Sequence, residues 1–256
     1  DGEVSKEDVD RAISAAAAIS LAQNREILHT IPRSFSVDSQ GGISEPVGMS
    51  GVRLEVDTLI VEGAISFIKN LTKCISEAGL EIEELVLASL AASPSALGKR
   101  QKELGVLALD LGGGTAGLTV FEEGNILHSC VLPVGSSHIT NDIAIGLRGG
   151  IDLAEKVKLE YGSALGSEIS KKSLIDLSKL GLEGKGVVPR VVVAEIIEAR
   201  LSEILELTNK ELRKVDRQGL LPAGIVLLGG GAKMPGLVDL ARDKLKPPVQ
   251  VGFPLE

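Results

Sequence analysis

Aromatic side chains are scarce in this sequence: its 256 residues contain no Trp, one Tyr and four Phe. Hydrophobic residues nevertheless make up 44% of the chain, so its core must be built from Leu, Ile, Val and Ala rather than from large rings. A chain of this length can form one large domain or two moderate ones, each with a sizeable core.

Cysteine is also scarce, because the chain contains only Cys74 and Cys130. The two lie far apart, and neither has a second Cys or a His at the spacing of metal ligands. This excludes a disulfide framework and a zinc site of the usual kind. We expect a reduced, cytosolic protein.

Long apolar runs and an excess of basic residues are missing as well. No stretch approaches the roughly 20 apolar residues of a membrane-spanning helix, and no signal peptide opens the sequence. The formal net charge of -8 argues against general nucleic-acid binding. A small bound phosphate stays possible, since backbone N–H groups can supply a positive field locally. The abrupt start, and an end close to a predicted strand, lead us to expect a fragment of a longer protein.

Residues 1–79 carry the pattern of a small α+β unit. Ser5 begins an amphipathic helix, with Asp8 in the position of a reciprocal cap. Two alternating stretches, "REILHTIPRSFSVD" and "GVRLEVDTLIVEG", predict strands. Pro32 in the first indicates an edge or a bulge. A second helix, with Ile65, Ile68, Leu71 and Ile75 inside, is predicted to end at Gly79.

Residues 80–256 predict a larger α/β unit. "IEELVLASLAAS" indicates a buried strand running into a loop, and "GKRQKELG" a charged linker. The pattern of residues 151–219 is mainly helical. "AGIVLLGGGAKMPGLVDLARDKL" predicts a buried strand, a glycine turn and a helix with Pro235 near its start. We expect Asn141 and Asp142 to cap a helix, and the three histidines, His29, His128 and His138, to have structural roles.

The stretch "LALDLGGGTAGLTVFEEGNILHSCVLPVG" contains glycines at G-x-G-x-x-G spacing. A dinucleotide-binding loop would need a helix after these glycines, but a β-hairpin is predicted there. Glycines that turn directly into a strand can instead expose consecutive N–H groups to an anion. Asp110 before them could hold a hydrated Mg²⁺. A plain hairpin with an N-terminal Asp is the alternative.

A second glycine triplet, Gly229 to Gly231, follows the apolar strand "GIVLL". Such a turn lets a flat base lie against bare backbone, and the start of the next helix is mildly electropositive. Two glycine turns after two buried strands predict a nucleotide held in a cleft.

The arrangement resembles the actin-like ATPase superfamily, whose loops read D-[LI]-G-G-G-T and [IV]-x-L-x-G-G-x-[AS]-x-x-P-G; here "DLGGGT" and "IVLLGGGAKMPG" stand. Within it, the chain is similar to the FtsA family of bacterial cell-division proteins. The similarity lies in "EILHTIPRSFSVDSQGGISEPVGMSGVRLE", "NLTKCISEAGLEIEELVLASLAAS", "ELGVLALDLGGGT" and "PVGSSHITNDIAIGLR". The resemblance implies an actin-like (ribonuclease H-like) domain and a small α+β subdomain peculiar to the family.

The family resemblance also implies a role. A member would bind ATP and Mg²⁺, hydrolyse ATP slowly at most, polymerise with copies of itself, link FtsZ to the inner face of the cell membrane and recruit later division proteins. Residues 1–79 would serve self-association and partner contact, with exposed Arg53 and Glu55 as candidates. Membrane attachment would use a C-terminal helix that this sequence does not contain, and no nucleic acid is expected.

The same resemblance assigns residues to the site. Gly112, Gly113, Gly114 and Thr115 would line the phosphates, and Asp110 would hold Mg²⁺ through water. Lys158 and Glu195 match family positions near the ribose and base, and Gly229, Gly230 and Gly231 would lie beside the adenine.

Three departures leave the activity open. Nothing matches the family's first phosphate loop, D-[IL]-G-T-x-K, and the C-terminal helix is missing. The family's usual GGGTTD or GGGTMD is replaced by Ala116 and Gly117, which removes one carboxylate. Two alternatives therefore stay open: a small-molecule kinase of the same superfamily, and an adaptor that no longer binds nucleotide.

Overall fold

The computed structural model describes residues 2–180 and 186–255. The chain divides into two compact units between Leu87 and Ala88. The sequence placed this boundary at 79/80. The later division has a physical basis, because residues 80–87 form no regular element and the Leu87 N–H donates to Nε2 of His29 at 3.0 Å. That bond ties the segment to the first unit.

The first unit is built on a three-stranded antiparallel sheet of order β3-β2-β5. A separate short antiparallel pair joins β4 to β1, and β1 directly precedes α1 in sequence. The elements are β1 (Gly2–Glu3), α1 (Lys6–Ala17), β2 (Arg25–Val37), β3 (Gln40–Ile43), β4 (Ser50–Gly51), β5 (Leu54–Ala64) and α2 (Ile65–Glu77).

Local sequence signals explain the ends of these elements. The predicted cap of α1 is present, since the Ser5 hydroxyl accepts from the Asp8 N–H and the Asp8 carboxylate accepts from the Ser5 N–H. Pro32 of β2 pairs with β5 but lies outside the residues of β2 that pair with β3, and the register shifts between Pro32 and Ser34. Pro32 therefore lies both at a locally unpaired edge and at a bulge, as predicted. Leu71 was expected inside but is 55% exposed. It lies at the margin of the half-buried stripe of α2, which consists of Ile65, Ile68, Thr72 and Ile75.

The second unit is a five-stranded mixed sheet of order β12-β11-β6-β7-β8 flanked by helices. β11 runs parallel to both β12 and β6, whereas β6, β7 and β8 form the antiparallel meander that the sequence predicted. The strands of this sheet are β6 (Val106–Leu111), β7 (Ala116–Glu122), β8 (Asn125–Leu132), β11 (Ile225–Leu228) and β12 (Val249–Val251). β9 (Leu174–Asp176) and β10 (Val187–Pro189) form a separate antiparallel pair.

The helices of this unit are α3 (Ala88–Ala96), α4 (Lys99–Leu104), α5 (Ser136–Leu147), α6 (Ile151–Tyr161), α7 (Arg190–Lys214) and α8 (Leu237–Leu245). Alternate residues of β6 face opposite layers. Leu107, Leu109 and Leu111 point into the large core that includes side chains of α5, α6, α7 and α8. Val106 and Ala108 pack in a smaller cluster with Ala96 and Leu97.

Three local predictions were wrong. The "LASLAAS" stretch is the helix α3, since alanine favours a helix, and the charged linker contains the helix α4. Asn141 and Asp142 lie inside α5 instead of capping it, and Asp142 forms a bidentate pair with Arg200. Within 151–219, the antiparallel pair of β9 and β10 interrupts the helices; residues 181–185 of this stretch lie outside the described part.

Each histidine has a structural partner, as the sequence predicted. His29 accepts from the Leu87 backbone, and His128 lies 3.2 Å from the Glu211 carboxylate. Nδ1 of His138 accepts from the Gly135 N–H at 3.1 Å, which fixes the residue before α5.

Among the described residues, no helix is long and apolar enough to cross a membrane.

Candidate functional site

The two glycine turns lie side by side at one edge of the sheet. β6 and β11 are adjacent and parallel, and Asp110 is in register with Leu228. The turn 112–115 and the turn 229–231 therefore leave the carboxyl ends of neighbouring parallel strands, the position at which open α/β sheets bind ligands. Sheet pairing alone brings these two segments together, although more than a hundred residues separate them in sequence.

Close backbone contact makes glycine necessary at two points of this edge. Gly229 has a φ of 79°, and a Cβ there would overlap the Asp110 carboxylate and lie 2.7 Å from the Leu111 carbonyl oxygen. Gly135 packs against the first turn so tightly that a Cβ would lie 2.5 Å from the Gly113 oxygen. The absence of side chains at these positions allows the turns to approach each other and the start of α5.

Hydrogen bonds to α5 hold the first turn in place. The N–H groups of Ser136 and Ser137 donate to the carbonyls of Gly112 and Gly113 at 2.9 and 2.8 Å. With its carbonyls fixed in this way, the turn exposes N–H groups of Gly113 and Gly114 that have no acceptor within residues 2–180 and 186–255. Adjacent free N–H groups of this kind suit a phosphate oxygen.

A buried lysine, Lys158, contacts the start of α5, which holds the glycine turn 112–115. Lys158 is only 7% exposed, and its Nζ donates to the Thr140 hydroxyl at 2.8 Å, to the Ser136 carbonyl at 3.3 Å and to the Glu155 carboxylate at 2.7 Å. Burial alone would raise the pKa of Glu155, but hydrogen bonds from Lys158 and Thr140, with the charge of Lys158, lower it overall. The ion pair, which lies within α6, is therefore maintained. The hydrogen bonds of Lys158 to the Ser136 carbonyl and the Thr140 hydroxyl, and of Thr140 to Glu155, anchor α6 to the start of α5.

Unlike Lys158 and Glu155, Asp110 is a half-buried carboxylate that has no hydrogen-bond or ion-pair partner among the described residues. No hydrogen-bond donor or cationic side chain of the described residues contacts it, and burial raises its pKa. A divalent cation would supply the missing positive charge, and one carboxylate is enough for a Mg²⁺ ion that keeps most of its waters. The described residues hold no cluster of three or more metal-ligating side chains.

The two glycine turns, the start of α5 and the Lys158–Glu155 pair line one cavity of about 260 Å³. This volume is below the roughly 300–1,000 Å³ of complete small-molecule pockets, so it suits part of a nucleotide. Its lining comprises Gly112, Gly113, Ser136, Ser137, Ile139, Glu155, Lys158, Leu159, Gly230, Gly231 and Met234.

The structure thus brings most of the sequence-assigned residues together, with one exception. Gly112, Gly113, Lys158, Gly230 and Gly231 line the cavity itself. The turn 112–115 also contains Gly114 and Thr115, and the turn 229–231 begins with Gly229. Asp110 lies on β6, two residues before the first of these turns. Glu195 lies on α7 in a different cavity, of about 490 Å³, beside Gly166 and Glu198.

Sequence reasoning missed Glu155, Ser136 and Ser137. The signal for Glu155 was its spacing, since a residue three positions before Lys158 lies on the same helix face. The serines carried no local signal, because α5 reaches the cavity through tertiary packing.

Known families match both units of this chain. The family model "Cell division protein FtsA" matches residues 107–256, and the model "SHS2 domain inserted in FTSA" matches residues 1–62. The chain belongs to the FtsA family. It is therefore a member of an actin-like family of cell-division proteins, as the sequence resemblance predicted.

Curated members of the family align with nearly all of the chain. The chain is 39% identical over 254 residues to the cell division protein FtsA of Pseudomonas aeruginosa, and 40% identical over 252 residues to that of Bacillus subtilis. These alignments cover 99% and 98% of the chain but 61% and 57% of the two relatives. The chain thus spans about three fifths of the length of these relatives.

Solved structures confirm the actin-like fold. A structure of MreB5 of Spiroplasma citri bound to ADP superposes with a TM-score of 0.59 at 22% identity, covering 73% of this chain and 60% of the other. A PilM-PilN type IV pilus biogenesis complex gives a TM-score of 0.63 at 19% identity, covering 98% and 64%. At these identities the likeness concerns the fold alone.

We predict that Asp110→Asn stabilises the chain at neutral pH in metal-free buffer. A carboxyl whose folded-state pKa is raised binds more protons in the folded than in the unfolded state, so its ionisation lowers stability as pH rises. The advantage of the variant over the wild type should shrink in acid, where the wild-type carboxyl is protonated. Denaturant unfolding at pH 7 and pH 4 with a chelator measures both effects.

The matched control is Asp243→Asn, at an aspartate whose side chain is 78% exposed. Surface ion pairs contribute little, so this variant should unfold like the wild type. An Asp110→Asn protein that is less stable than the wild type at pH 7 would contradict the assignment of Asp110 as an unpartnered carboxylate.

Proposed function

We propose that this chain binds Mg·ATP at the edge of the sheet and that nucleotide binding serves its role as an actin-like cell-division protein. The observation that supports this most strongly is the meeting of two glycine turns, the start of α5 and buried Lys158 around one cavity. Free backbone donors and a fixed lysine are the groups that hold phosphates in proteins.

Each part of the site has a proposed task. The N–H groups of Gly113 and Gly114, with the Thr115 hydroxyl, would hold phosphate oxygens. Asp110 would hold Mg²⁺ through water, and its lack of any other partner among the described residues fits this task. A bound Mg²⁺ would neutralise phosphate charge. Because the donors are fixed before the ligand arrives, they need no reorganisation on binding.

The nucleoside is assigned to the other half of the cavity. Gly230 and Gly231 present bare backbone, against which a flat base can lie, and Met234 adds an apolar surface beside them. We assign the ribose hydroxyls to Glu155 rather than to Glu195, because Glu155 lines this cavity and Glu195 lines another. The lowered pKa of Glu155 keeps it ionised and able to accept hydrogen bonds from sugar hydroxyls.

The cellular part of the proposal rests on the family. We propose that the protein polymerises, links FtsZ to the cytoplasmic face of the membrane at the division site and recruits later division proteins. Residues 1–79 would provide self-association and partner contacts. Arg53 and Glu55, an exposed ion pair at one end of β5, remain candidates for these contacts. We propose that membrane attachment uses a C-terminal helix of the kind that the family resemblance implies.

A thermal-shift series tests nucleotide binding. At a hundredfold excess over its dissociation constant, Mg·ATP should stabilise the chain by about 2.7 kcal/mol. Gly114→Ala should fold normally, because a Cβ there has no atom within 4 Å, but should lose most of the ATP-dependent shift, since the methyl obstructs the approach of a phosphate. Gly2→Ala, where a Cβ is equally unobstructed, is the control and should keep the full shift.

The outcomes separate the proposal from its alternatives. No shift in the wild type would favour the adaptor without nucleotide. Transfer of labelled phosphate from ATP to a member of a sugar panel would favour the kinase.

A sedimentation assay tests the link to FtsZ. We predict that the chain pellets with assembled FtsZ filaments and stays in the supernatant without them. Serum albumin at equal concentration is the control for trapping. A chain that stays in the supernatant at a concentration above that of FtsZ would contradict this part of the proposal.

A further inference from the structure

The strand residue opposite Asp110 makes a close contact that the site described above does not use. Gly117 of β7 is the cross-strand partner of Asp110 of β6. Directly opposed residues of an antiparallel pair project to the same face, with Cβ positions about 4.5–5.5 Å apart. A side chain at 117 would therefore stand next to the Asp110 carboxylate.

Ser89 occupies the space that such a side chain would need. A Cβ built on Gly117 would lie 2.8 Å from the Cβ of Ser89 and 3.4 Å from its hydroxyl oxygen. Carbon atoms do not approach to 2.8 Å without a shift of one or both residues. α3 holds Ser89 firmly, because Ser89 is 3% exposed and its carbonyl accepts from the fully buried Ser93 hydroxyl at 2.6 Å.

The hydroxyl of Ser89 is itself unsatisfied. It is buried and makes no hydrogen bond to any of the described residues. An unpaired buried hydroxyl costs free energy, and here it lies on the face of the sheet that carries Asp110. Among residues 2–180 and 186–255, this face thus carries a carboxylate with no cationic side chain in contact and a buried hydroxyl with no hydrogen-bond partner.

We propose that Ser89 and Gly117 form a coupled pair that sets the charge of the cation position beside Asp110. Ser89 excludes a side chain at 117, and a neutral hydroxyl takes the place where a second carboxylate would stand. The position then binds a divalent cation through one carboxylate and depends on phosphate oxygens for further ligands. This proposal rests on the proposed function, because the cation is that of the bound nucleotide.

Single and double substitutions at Gly117 and Ser89 test the steric exclusion of a side chain at position 117, and they need no ligand. Gly117→Ala should lower the unfolding midpoint by several degrees, since the added methyl collides with Ser89. In a Ser89→Gly background the same change should cost much less. If Gly117→Ala lowers the unfolding midpoint equally in the wild type and in Ser89→Gly, the two residues are not coupled and the proposal is overturned. Gly150→Ala, where a Cβ has no atom within 4 Å, is the control for adding a methyl group.

Direct binding of Mn²⁺ tests the electrostatic part without nucleotide. The double variant Ser89→Gly/Gly117→Asp places two carboxylates side by side and should bind Mn²⁺ at least about fivefold more tightly than the wild type, as judged by the signal of free Mn²⁺ in electron paramagnetic resonance. Adding Asp110→Asn should abolish the gain. A folded double variant with wild-type Mn²⁺ affinity would overturn the proposal.

This test and the nucleotide test fail separately. If ATP does not stabilise the wild type but the double variant gains Mn²⁺ affinity through Asp110, the proposed function fails while the pair stands. If ATP binds and the exchange changes neither stability nor Mn²⁺ affinity, the proposed function stands and the pair fails.

Discussion

The parallel pairing of β6 with β11 is the constraint on which the candidate site depends. It places Asp110 beside Leu228 and lets two distant turns emerge at one edge of the sheet. Glycines at 135 and 229 then let backbone approach backbone more closely than any side chain would allow. Removing that register would leave two unrelated loops, each with no more than the weak anion affinity of a glycine turn.

Electrostatics divides the site into a satisfied half and an unsatisfied half. Lys158 is buried, but its ammonium group donates to the Glu155 carboxylate, the Thr140 hydroxyl and a carbonyl of the first turn of α5. These contacts hold the first turn of α5 in place without a bound ligand. Asp110 has no such support among the described residues, and burial raises its pKa. The unsatisfied half is where a ligand gains most, because an incoming cation relieves a cost already present in the folded protein.

Strand alternation, apolar runs and glycine triplets are local signals, so they predicted a small α+β unit, a larger α/β unit and the two glycine turns. The actin-like fold was implied by the resemblance to the FtsA family. Sequence reasoning failed where a tertiary contact decides. The alanines of α3 favour a helix, but the apolar run before them favours a strand, and the packing of α3 on β6 and β7 decides between the two. Glu195 and Glu155 are equally polar helix residues, and only the packing of α6 against α5 shows that Glu155 belongs to the cavity. The contact of Ser89 with Gly117 joins residues from a helix and a strand, so no spacing rule could have found it.

Hydrogen exchange of the backbone amides, with and without Mg·ATP, measures whether the two glycine turns close on one nucleotide. We expect slower exchange at both turns, 112–115 and 229–231, in the same titration. The amides of Gly113 and Gly114 should be most affected, because they have no acceptor among residues 2–180 and 186–255. Protection of one turn without the other, or ATP-dependent protection confined to the first unit, would show that the two turns do not form one nucleotide site.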